Sequence, residues 1–474
     1  MGSTISLSSD IPACKLFYLL KYTCGILFIL LAAYVPLWLF FAFCLLFTLF
    51  TMTPLLKTVA GFFHIADEKR IKSFTGDTKA IAGWLTLSIP FALLLPEIGV
   101  PLPSFLIFQA FAVTLFSTRS WFSLFNDVTL FEDIREKESF KNISLFYEFF
   151  LIMLRVFGAF FAGWWMAYHT EIAMTNELLN QLFFIALIGA FIGSLFESIP
   201  SRFNVNAVVF VSSLFSMWLL FVMNFQTPWT QTALAALFSV ILAFLAYRHK
   251  LADVSALFSA AVAGVIIILF STLGWYILLV TFFILGGGFT HYKFKQKLAA
   301  GLAESKTGAR NYKNVFSNGL AALGIAVLYG LVNQSPDFAW LSMPLVFAYV
   351  GTVATATGDT MASEIGVTSK GPTYMITNFR KARVGEDGGV SLLGEIAALT
   401  GALIIGILAF LFGMIDSLPL SLLAAVVGGF LGTNIDSVLG AVLQKRGLLT
   451  NSSVNLIATI LGGLIAFGLY FLIY

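Results

Sequence analysis

The feature that most constrains this chain is a series of apolar segments, each about 17 to 23 residues long. Such segments match the roughly 30 Å hydrocarbon core of a bilayer when they form α-helices. Hydrophobic residues make up 59% of the 474 residues, and charged residues only 11%. We therefore predict an all-α polytopic membrane protein with about 15 transmembrane helices. The predicted spans are 15–34, 37–56, 81–98, 102–118, 147–168, 181–199, 206–224, 232–247, 254–271, 273–289, 316–333, 340–356, 391–413, 419–436 and 453–472.

Lysine and arginine residues indicate how the chain is oriented. The loops on one side of the predicted helices hold 24 of the 27 lysines and arginines, and the opposite loops hold none. Cytoplasmic loops of membrane proteins are enriched in these residues. We therefore expect the N-terminus and the basic loops to lie in the cytoplasm, in a multi-pass protein of the inner membrane. Arg155 lies inside a span, where an arginine usually pairs with an acid or faces a polar cavity. We favour pairing, with Glu148 or Glu197 as the partner.

Several classes of site are disfavoured by the distribution of residue types. Cys14, Cys24 and Cys44 and the four histidines lack the spacing of zinc ligands, and the cysteines do not form a disulfide framework. The basic loops lack a nucleic-acid-binding module, so membrane lipids are the expected partners of their charges and no nucleic acid is expected. The sequence does not indicate an oligomeric state.

A polar segment of about thirty residues separates two apolar spans near the C-terminus. It runs from residues 358–366 (GDTMASEIG) to residues 385–394 (GEDGGVSLLG) and combines carboxylates, hydroxyls and glycines with four cationic side chains. Glycines let backbone N–H groups approach an anion, and carboxylates hold hard divalent cations. This composition predicts a site for a metal-bound phosphate, and a hydrophilic connecting loop is the alternative.

Three carboxylates are the candidates for metal-assisted chemistry. Asp359 and Glu364 are five residues apart and would share a site best on an unwound segment, and Asp436 lies at the end of another predicted span. Carboxylates that meet from separate spans can clamp nucleotide phosphates over Mg²⁺. We predict Mg²⁺ as the cofactor, with Asp359 and Asp436 as its ligands.

Further candidates would bind the phosphates and the nucleotide. Three cations, Lys370, Arg383 and Arg310, could neutralise triphosphate charge, although the bias toward cytoplasmic cations also explains them. The glycines of the segment resemble a phosphate-cradling loop without the Walker A spacing. The glycines and the candidate polar ligands are Gly385, Gly388, Gly389, Asn318, Ser391, Asn451 and Asn455.

The motifs from about Ala243 to Tyr474 resemble an integral-membrane family that includes phytyl-phosphate kinase and transmembrane protein 19 (domain of unknown function 92). The resemblance rests on residues 247–250 (YRHK), 308–319 (GARNYKNVFSNG), 358–370 and 388–394, on 436–444 (DSVLGAVLQ), and on Asn451 with Asn455. Glu386 and Asp387 replace an expected Thr-Asn-like pair, and Ser452 replaces an expected aspartate. The second departure could remove a polar ligand.

The N-terminal half is more weakly similar to phytol and dolichol kinases. Residues 75–80 (TGDTKA) and 195–200 (LFESIP) carry this similarity, but the nucleotide motif of those kinases would align near residues 126–130 (NDVTL), where it is poorly kept. We predict two related halves: a degenerate membrane half over 1–230, and a catalytic membrane domain over 231–474.

The resemblance implies a membrane-embedded kinase that converts an isoprenoid monophosphate to the diphosphate with CTP or another nucleoside triphosphate. Asp359, Glu364, Lys370 and Asp436 are its predicted catalytic residues. A cytidylyltransferase that forms a CDP-activated lipid would use the same metal-clamped triphosphate. A transporter is the third alternative, since tandem halves are typical of transporters.

Overall fold

The structure, a computed structural model, describes residues 22–53, 68–116, 138–170, 172–198, 204–225, 227–303 and 308–474. The chain forms two compact units, Met1–Trp229 and Thr230–Tyr474. Ten helices of the described residues are long and apolar enough to cross a membrane, and five further apolar helices are shorter. The protein is therefore polytopic and nearly all-α. Each predicted span overlaps one of these helices, but a total of fifteen membrane crossings stays a prediction.

In the part of the chain that the structure describes, the first unit consists of helices and short connections between them. Its helices are α1 (Tyr22–Ala32), α2 (Leu37–Met52), α3 (Glu68–Leu94), α4 (Ser104–Leu115), α5 (Glu138–His169), α6 (Asn176–Ser198) and α7 (Val205–Val222). The segment 126–130, which would align with the nucleotide motif of the related kinases, lies outside the described residues.

Arg155 lies inside α5 and is 1% exposed. Its guanidinium forms an ion pair with Glu197 on α6. It also donates hydrogen bonds to the Ser194 hydroxyl at 2.5 Å and to the Phe116 carbonyl at 3.0 Å. The predicted acidic partner is thus confirmed as Glu197. Because a charge in a span is stable only when it is paired and hydrogen-bonded, these contacts fix α5 against α6.

The second unit contains the polar segment. Its helices are α8 (Trp229–Arg248), α9 (Val254–Phe270), α10 (Leu273–His291), α11 (Phe294–Ala299), α12 (Tyr312–Asn333), α13 (Ser342–Gly366), α14 (Leu392–Leu411), α15 (Leu418–Leu439) and α16 (Asn451–Ile473). Its strands are β1 (Thr373–Met375), β2 (Lys381–Ala382) and β3 (Gly389–Ser391), and a π-helical turn (Gly440–Gln444) follows α15.

Helix α13 is the centre of the second unit. Every residue from Pro344 to Gly358 is buried, and the helix packs against α14, α15 and α16. Small residues permit this close packing. A Cβ atom on Gly432 of α15 would lie 2.3 Å from the Thr355 hydroxyl, and one on Gly462 of α16 would lie 2.0 Å from it. Helix association in membranes depends on this kind of close backbone approach.

The predicted boundary of the polar segment is wrong at its start. The sequence places residues 358–366 in an unwound segment, whereas the structure continues α13 to Gly366. Hydroxyl groups explain how polar residues remain helical. Thr357 donates to the Val353 carbonyl at 2.7 Å, and Ser363 donates to the Thr360 carbonyl at 3.1 Å. These side chains satisfy their polar groups within the helix itself.

The rest of the polar segment folds into a small antiparallel sheet that the sequence did not predict. The strand order is β2-β1-β3, with Thr373 opposite Ala382 on one side and Met375 opposite Gly389 on the other. Strand β3 continues directly into α14. The sheet thereby holds the glycine-rich residues beside the end of α13.

Candidate functional site

A polar cavity of about 380 Å³ lies at one end of the helices of the second unit. Its walls come from the last turns of α13 and α15 and from the first two turns of α12, α14 and α16. Residues 384–391 of the sheet segment close another side. Pockets of this size hold small-molecule ligands.

Most of the residues predicted from sequence line this cavity. They are Arg310, Asn318, Asp359, Glu364, Gly385, Gly388, Gly389, Ser391, Asp436, Asn451 and Asn455. Lys370 and Arg383 do not line it, and both are exposed. Their charge is explained by the general enrichment of cations on this side of the protein.

Three carboxylates form what we call the acidic side of the cavity: Asp359 of α13, Asp436 of α15, and Asp387 of the sheet segment. Asp359 and Asp387 lie close enough to Asp436 for electrostatic repulsion between the three. The Oδ2 atom of Asp436 is buried and has no hydrogen-bond partner among the described residues. A buried carboxylate oxygen without a partner is costly. A cation at this position would remove that cost.

The acidic side fits Mg²⁺ better than a metal held entirely by protein. Among the described residues, no group of three histidine, cysteine or acidic side chains is placed to hold a metal ion. Mg²⁺ typically binds one or two carboxylates and takes its other ligands from water and substrate phosphates. Asp359 and Asp436 are the two residues that would hold it.

Glu364 lines the cavity, but both of its carboxylate oxygens have protein partners. Lys297 of α11, which is 3% exposed, donates to Oε2 at 2.5 Å and to the Phe289 carbonyl at 2.9 Å. The Thr290 hydroxyl lies 2.8 Å from Oε1. On the continuous helix α13, Glu364 therefore binds the end of α10 and the short helix α11. Its contacts are those of a positioning residue.

Arg310 contributes a buried guanidinium to the cavity wall. The group lies over the rings of Phe282 and Phe283, with its Cζ atom 5.2 Å and 6.0 Å from their centroids. A Cβ atom on Gly286 would lie 2.4 Å from Nη2, so only glycine leaves room for this side chain. The Arg310 backbone N–H donates to the Leu251 carbonyl at 3.0 Å. This arrangement places a fixed positive charge in a largely apolar setting, where its attraction for anions is strong.

The glycine-rich turn 385–389 is attached to the end of α15. The Lys445 ammonium donates to Glu386 at 2.6 Å, and the Gln444 amide donates to Asp387 at 3.0 Å. The hydrogen bond from Lys445, followed by that from the Arg383 backbone N–H, lowers the pKa of Glu386. The stability that the ion pair between Glu386 and Lys445 contributes is therefore fully present above the ordinary pKa of a glutamate side chain. It is lost as the pH falls through the lowered value.

Gly388 is the position at which this turn approaches α15 most closely. Its φ of +80° is unfavourable for any side chain, and a Cβ atom would lie 2.4 Å from that of Ala441 and 2.8 Å from the Ser437 carbonyl. We expect Gly388→Ala to lower the free energy of unfolding by more than about 1 kcal/mol. Thermal unfolding of the purified protein measures this.

Gly371→Ala is the matched control for that prediction, because it lies in the same segment. Its Cβ would have only an ordinary contact, 3.4 Å from the Ser369 hydroxyl. The control should be neutral or slightly stabilising. Equal melting temperatures for the two variants would show that the turn does not contact α15 as described.

Ser391 is a predicted ligand to which the structure gives a second role, whereas Glu395 and Lys297 could not be recognised in the sequence. Ser391 lines the cavity and also caps α14, since its hydroxyl accepts a hydrogen bond from the Gly394 N–H at 3.2 Å. Glu395 lines the cavity from an apolar helix and accepts a hydrogen bond from Asn434 at 3.3 Å. In the sequence, the one indication for Glu395 was its position as an acidic residue near the start of the predicted span 391–413. Nothing in the sequence distinguished Lys297 from the other lysines and arginines of its loop.

Comparisons with known proteins agree on the second unit. The family model described as Integral membrane protein DUF92 matches residues 237–463. An uncharacterized membrane protein of Methanocaldococcus jannaschii is 33% identical over 233 residues, which cover 48% of this chain and 90% of the relative. An uncharacterized membrane protein of Synechocystis is 34% identical over 249 residues, which cover 51% of this chain and 91% of the relative. Protein VTE6, chloroplastic, of Arabidopsis thaliana is 29% identical over 208 residues, which cover 42% of this chain and 61% of the relative. No solved structure matches the chain.

The fold and the cavity define a polytopic helical membrane protein with a polar site at the ends of its helices. The chain belongs to the DUF92 family of integral membrane proteins. The resemblance inferred from the sequence motifs is thereby confirmed at the level of the family.

Proposed function

We propose that the second unit is a kinase that transfers the terminal phosphoryl group of a nucleoside triphosphate to an isoprenoid monophosphate. The observation that carries the proposal is the cavity itself, in which the unpartnered Asp436 oxygen and the buried Arg310 guanidinium line one space. In the reaction, an oxygen of the lipid phosphate forms a bond to the γ-phosphorus. The bond from that phosphorus to the β-phosphate oxygen breaks, and a nucleoside diphosphate leaves.

The residues around the cavity supply positioning and charge, which phosphoryl transfer mostly requires. Asp359 and Asp436 would hold Mg²⁺, which neutralises phosphate charge when bound. Arg310 attracts the phosphates, and the glycines of the turn 385–389 let its backbone approach them closely. Glu364 holds the end of α13 in position through Lys297 and Thr290.

A phosphate acceptor suits this cavity better than an alcohol. The second pKa of a phosphate monoester is about 6, so the acceptor is already an oxyanion at neutral pH. It needs no general base to remove a proton. Among the described residues that line the cavity there is no histidine, the side chain that most often serves as such a base.

The first turn of α14 offers a place for the isoprenoid chain. Gly394 and Glu395 line the cavity there, while the neighbouring Leu392 and Ile396 are 77% and 54% exposed. Exposed apolar side chains in a membrane protein face lipid. The phosphate of the acceptor can thus lie in the cavity while its hydrocarbon chain stays in the bilayer.

We further propose that the cavity faces the cytoplasm of a cell whose inner membrane holds the protein. The support is the placement of nearly all lysines and arginines on one side of the predicted spans. The N-terminus lies on that same side in this proposal, in a chain of about fifteen spans. Residues 1–230 form a related half that has lost its nucleotide motif.

A product assay in sealed vesicles tests both proposals. Purified protein is reconstituted, and phytyl monophosphate is supplied in the bilayer with Mg²⁺ and external ATP, CTP, GTP or UTP. We expect the isoprenoid diphosphate and a nucleoside diphosphate, formed only by molecules whose cytoplasmic side faces outward. Release of pyrophosphate would instead indicate a cytidylyltransferase. No turnover of any prenyl phosphate with any of the four nucleotides would refute the kinase.

A further inference from the structure

The cavity has a second group of lining residues, whose chemistry differs from that of the acidic side. The segment leading into α12 and the first turns of α12 and α16 contribute Arg310, Asn314, Asn318, Asn451 and Asn455. None of these is acidic, and four carry side-chain amides. We call these four asparagines the amide side. A ligand that fills the cavity therefore meets carboxylates and the Arg310 guanidinium, which suit a metal-bound phosphate, and also amides, which suit neutral hydrogen-bonding groups.

Asn318 has a fixed orientation within this wall. It is 3% exposed, and its Nδ2 atom donates to the Asn314 carbonyl at 3.1 Å and to the Ser317 hydroxyl at 3.1 Å. A backbone carbonyl can only accept a hydrogen bond, so the amide nitrogen must face it. The amide oxygen is thereby assigned by the hydrogen-bond network.

The amide oxygen of Asn318 has no partner among the residues that the structure describes. Its Oδ1 atom is buried and accepts no hydrogen bond from them. Buried polar atoms in native proteins are normally satisfied, and leaving one unsatisfied costs free energy. Because Asn318 lines the cavity, a ligand in the cavity can supply the missing donor.

The polarity of this atom excludes a phosphate as its partner. An ionised phosphate offers only acceptor oxygens, which an amide oxygen repels. A nucleoside, in contrast, carries O–H donors on its ribose and N–H donors on its base. Asn318 was predicted from the sequence only as a polar ligand, and the structure indicates that its amide oxygen would bind as an acceptor.

We propose that Asn318 determines nucleotide specificity by accepting a hydrogen bond from the nucleoside part of the substrate. The inference rests on the proposed kinase function. It orients the nucleotide with its phosphates toward Asp359 and Asp436 and its nucleoside toward the amide side. The donor is a ribose hydroxyl or a base amino group, and the experiment below separates the two.

Asn318→Leu in the full chain is the test, with Asn333→Leu as its matched control. Asn333 lies at the other end of the same helix, and its amide donates to the Tyr329 carbonyl at 3.0 Å. That bond is the counterpart of the bond from Asn318 to Asn314, four residues back in the chain. The control therefore measures the cost of losing such a bond far from the cavity, together with the bond that the Ser342 hydroxyl donates to the Asn333 amide oxygen at 2.7 Å.

Initial rates are measured with phytyl monophosphate, saturating Mg²⁺, and each of four nucleotides and their 2′-deoxy forms. We expect Asn318→Leu to raise KM for the preferred nucleotide about tenfold, with kcat changed less than about threefold. If the donor is a ribose hydroxyl, the variant loses the preference for ribose over deoxyribose. If it is a base amino group, the variant loses the preference for ATP or CTP over UTP.

Two results would overturn the inference while leaving the kinase in place. One is an Asn318→Leu variant whose KM and selectivity equal those of Asn333→Leu. The other is a change in the Mg²⁺ concentration for half-maximal rate without a change in nucleotide selectivity, which would make Asn318 a metal ligand. The melting temperature with each Mg–nucleotide gives a readout independent of turnover. Wild-type protein stabilised by a nucleotide that it does not turn over would refute the kinase alone. Protein that is neither stabilised nor active would refute both.

Discussion

Replacement of Asp436 by asparagine should reduce the turnover of isoprenoid phosphate by a factor of about 100 or more. The variant keeps the size of the side chain and removes its charge. Asp436 lies on the acidic side with Asp359 and Asp387, and in the described part of the chain its Oδ2 atom has no partner. The charge is therefore available to a metal–phosphate ligand. Losing it weakens the site where phosphate charge must be held during transfer.

The same substitution should leave the fold intact or make it more stable. In the absence of ligand, Asp436 is a desolvated carboxylate repelled by two others, and the neutral amide removes that repulsion. We expect a melting temperature equal to or above that of the wild type. The Mg²⁺ concentration that gives half the maximal rate should rise. Loss of activity with a retained fold is the combination that distinguishes a ligand-binding carboxylate from a structural one.

Asp416→Asn is the matched control, because Asp416 precedes the opposite end of α15 and is exposed. It should leave turnover within about twofold of the wild type, since surface substitutions have small effects. Asp359→Asn should behave like Asp436→Asn. A near-normal rate in Asp436→Asn would remove this residue from the site, and with it the observation on which the kinase proposal rests.

The sequence could indicate the acidic side because a charged side chain without a partner or water is unfavourable in a membrane-spanning helix. Asp359 and Asp436 each lie at the end of an apolar helix, where an ionisable side chain is costly without a partner or water. That argument uses only local context, so it applies without a structure. It cannot say which helices meet. The structure brings the end of α13 beside the end of α15, in agreement with the expected shared site.

The position of the helix end could not be predicted in the same way. Polar residues 358–366 suggested an unwound segment, but hydroxyls such as that of Thr357 bond to carbonyls within α13 and keep it helical. Strands of two or three residues, such as Lys381–Ala382, are too short to show an alternating pattern. Pairing across the sheet is a long-range property. It could therefore not be predicted from the local sequence pattern.

Charged residues were the least predictable part of the site. Lys370 and Arg383 appear as suitable for phosphate binding as Arg310 in the sequence, yet only Arg310 is buried in the cavity wall. The enrichment of cations on one side of a membrane protein supplies many basic residues that bind nothing specific. Which of them is buried depends on neighbours from other helices. For Arg310, those neighbours are the two phenylalanines and the glycine of α10.

Replacement of Lys297 by methionine should be the most destabilising single change among those considered in this protein. The ammonium of Lys297 is buried and forms an ion pair with Glu364 at 2.5 Å. Removing one partner leaves the Glu364 carboxylate as a buried charge, and its remaining hydrogen-bond partner among the described residues is the Thr290 hydroxyl. Breaking a buried pair in this way typically costs about 3 to 5 kcal/mol in the free energy of unfolding. Thermal and denaturant unfolding of the purified protein measure the loss.

Lys295→Met is the matched control. Lys295 lies two residues away on the same short helix α11, but its side chain is exposed. Loss of an exposed lysine should change the free energy of unfolding by less than about 0.5 kcal/mol. The control separates the effect of burial from the general effect of removing a cation from this side of the protein.

The double variant Lys297→Met with Glu364→Gln tests whether the pair itself is the cause. Glutamine is neutral and can still accept the hydrogen bond from Thr290, so the double variant buries no unpaired charge. It should recover at least half of the stability lost in Lys297→Met, because residues in contact do not contribute additively. If Lys297→Met were instead as stable as Lys295→Met, the ammonium would be solvated rather than bound to Glu364. The carboxylate would then be available to a ligand in the cavity, in the catalytic role that the sequence alone predicted for it.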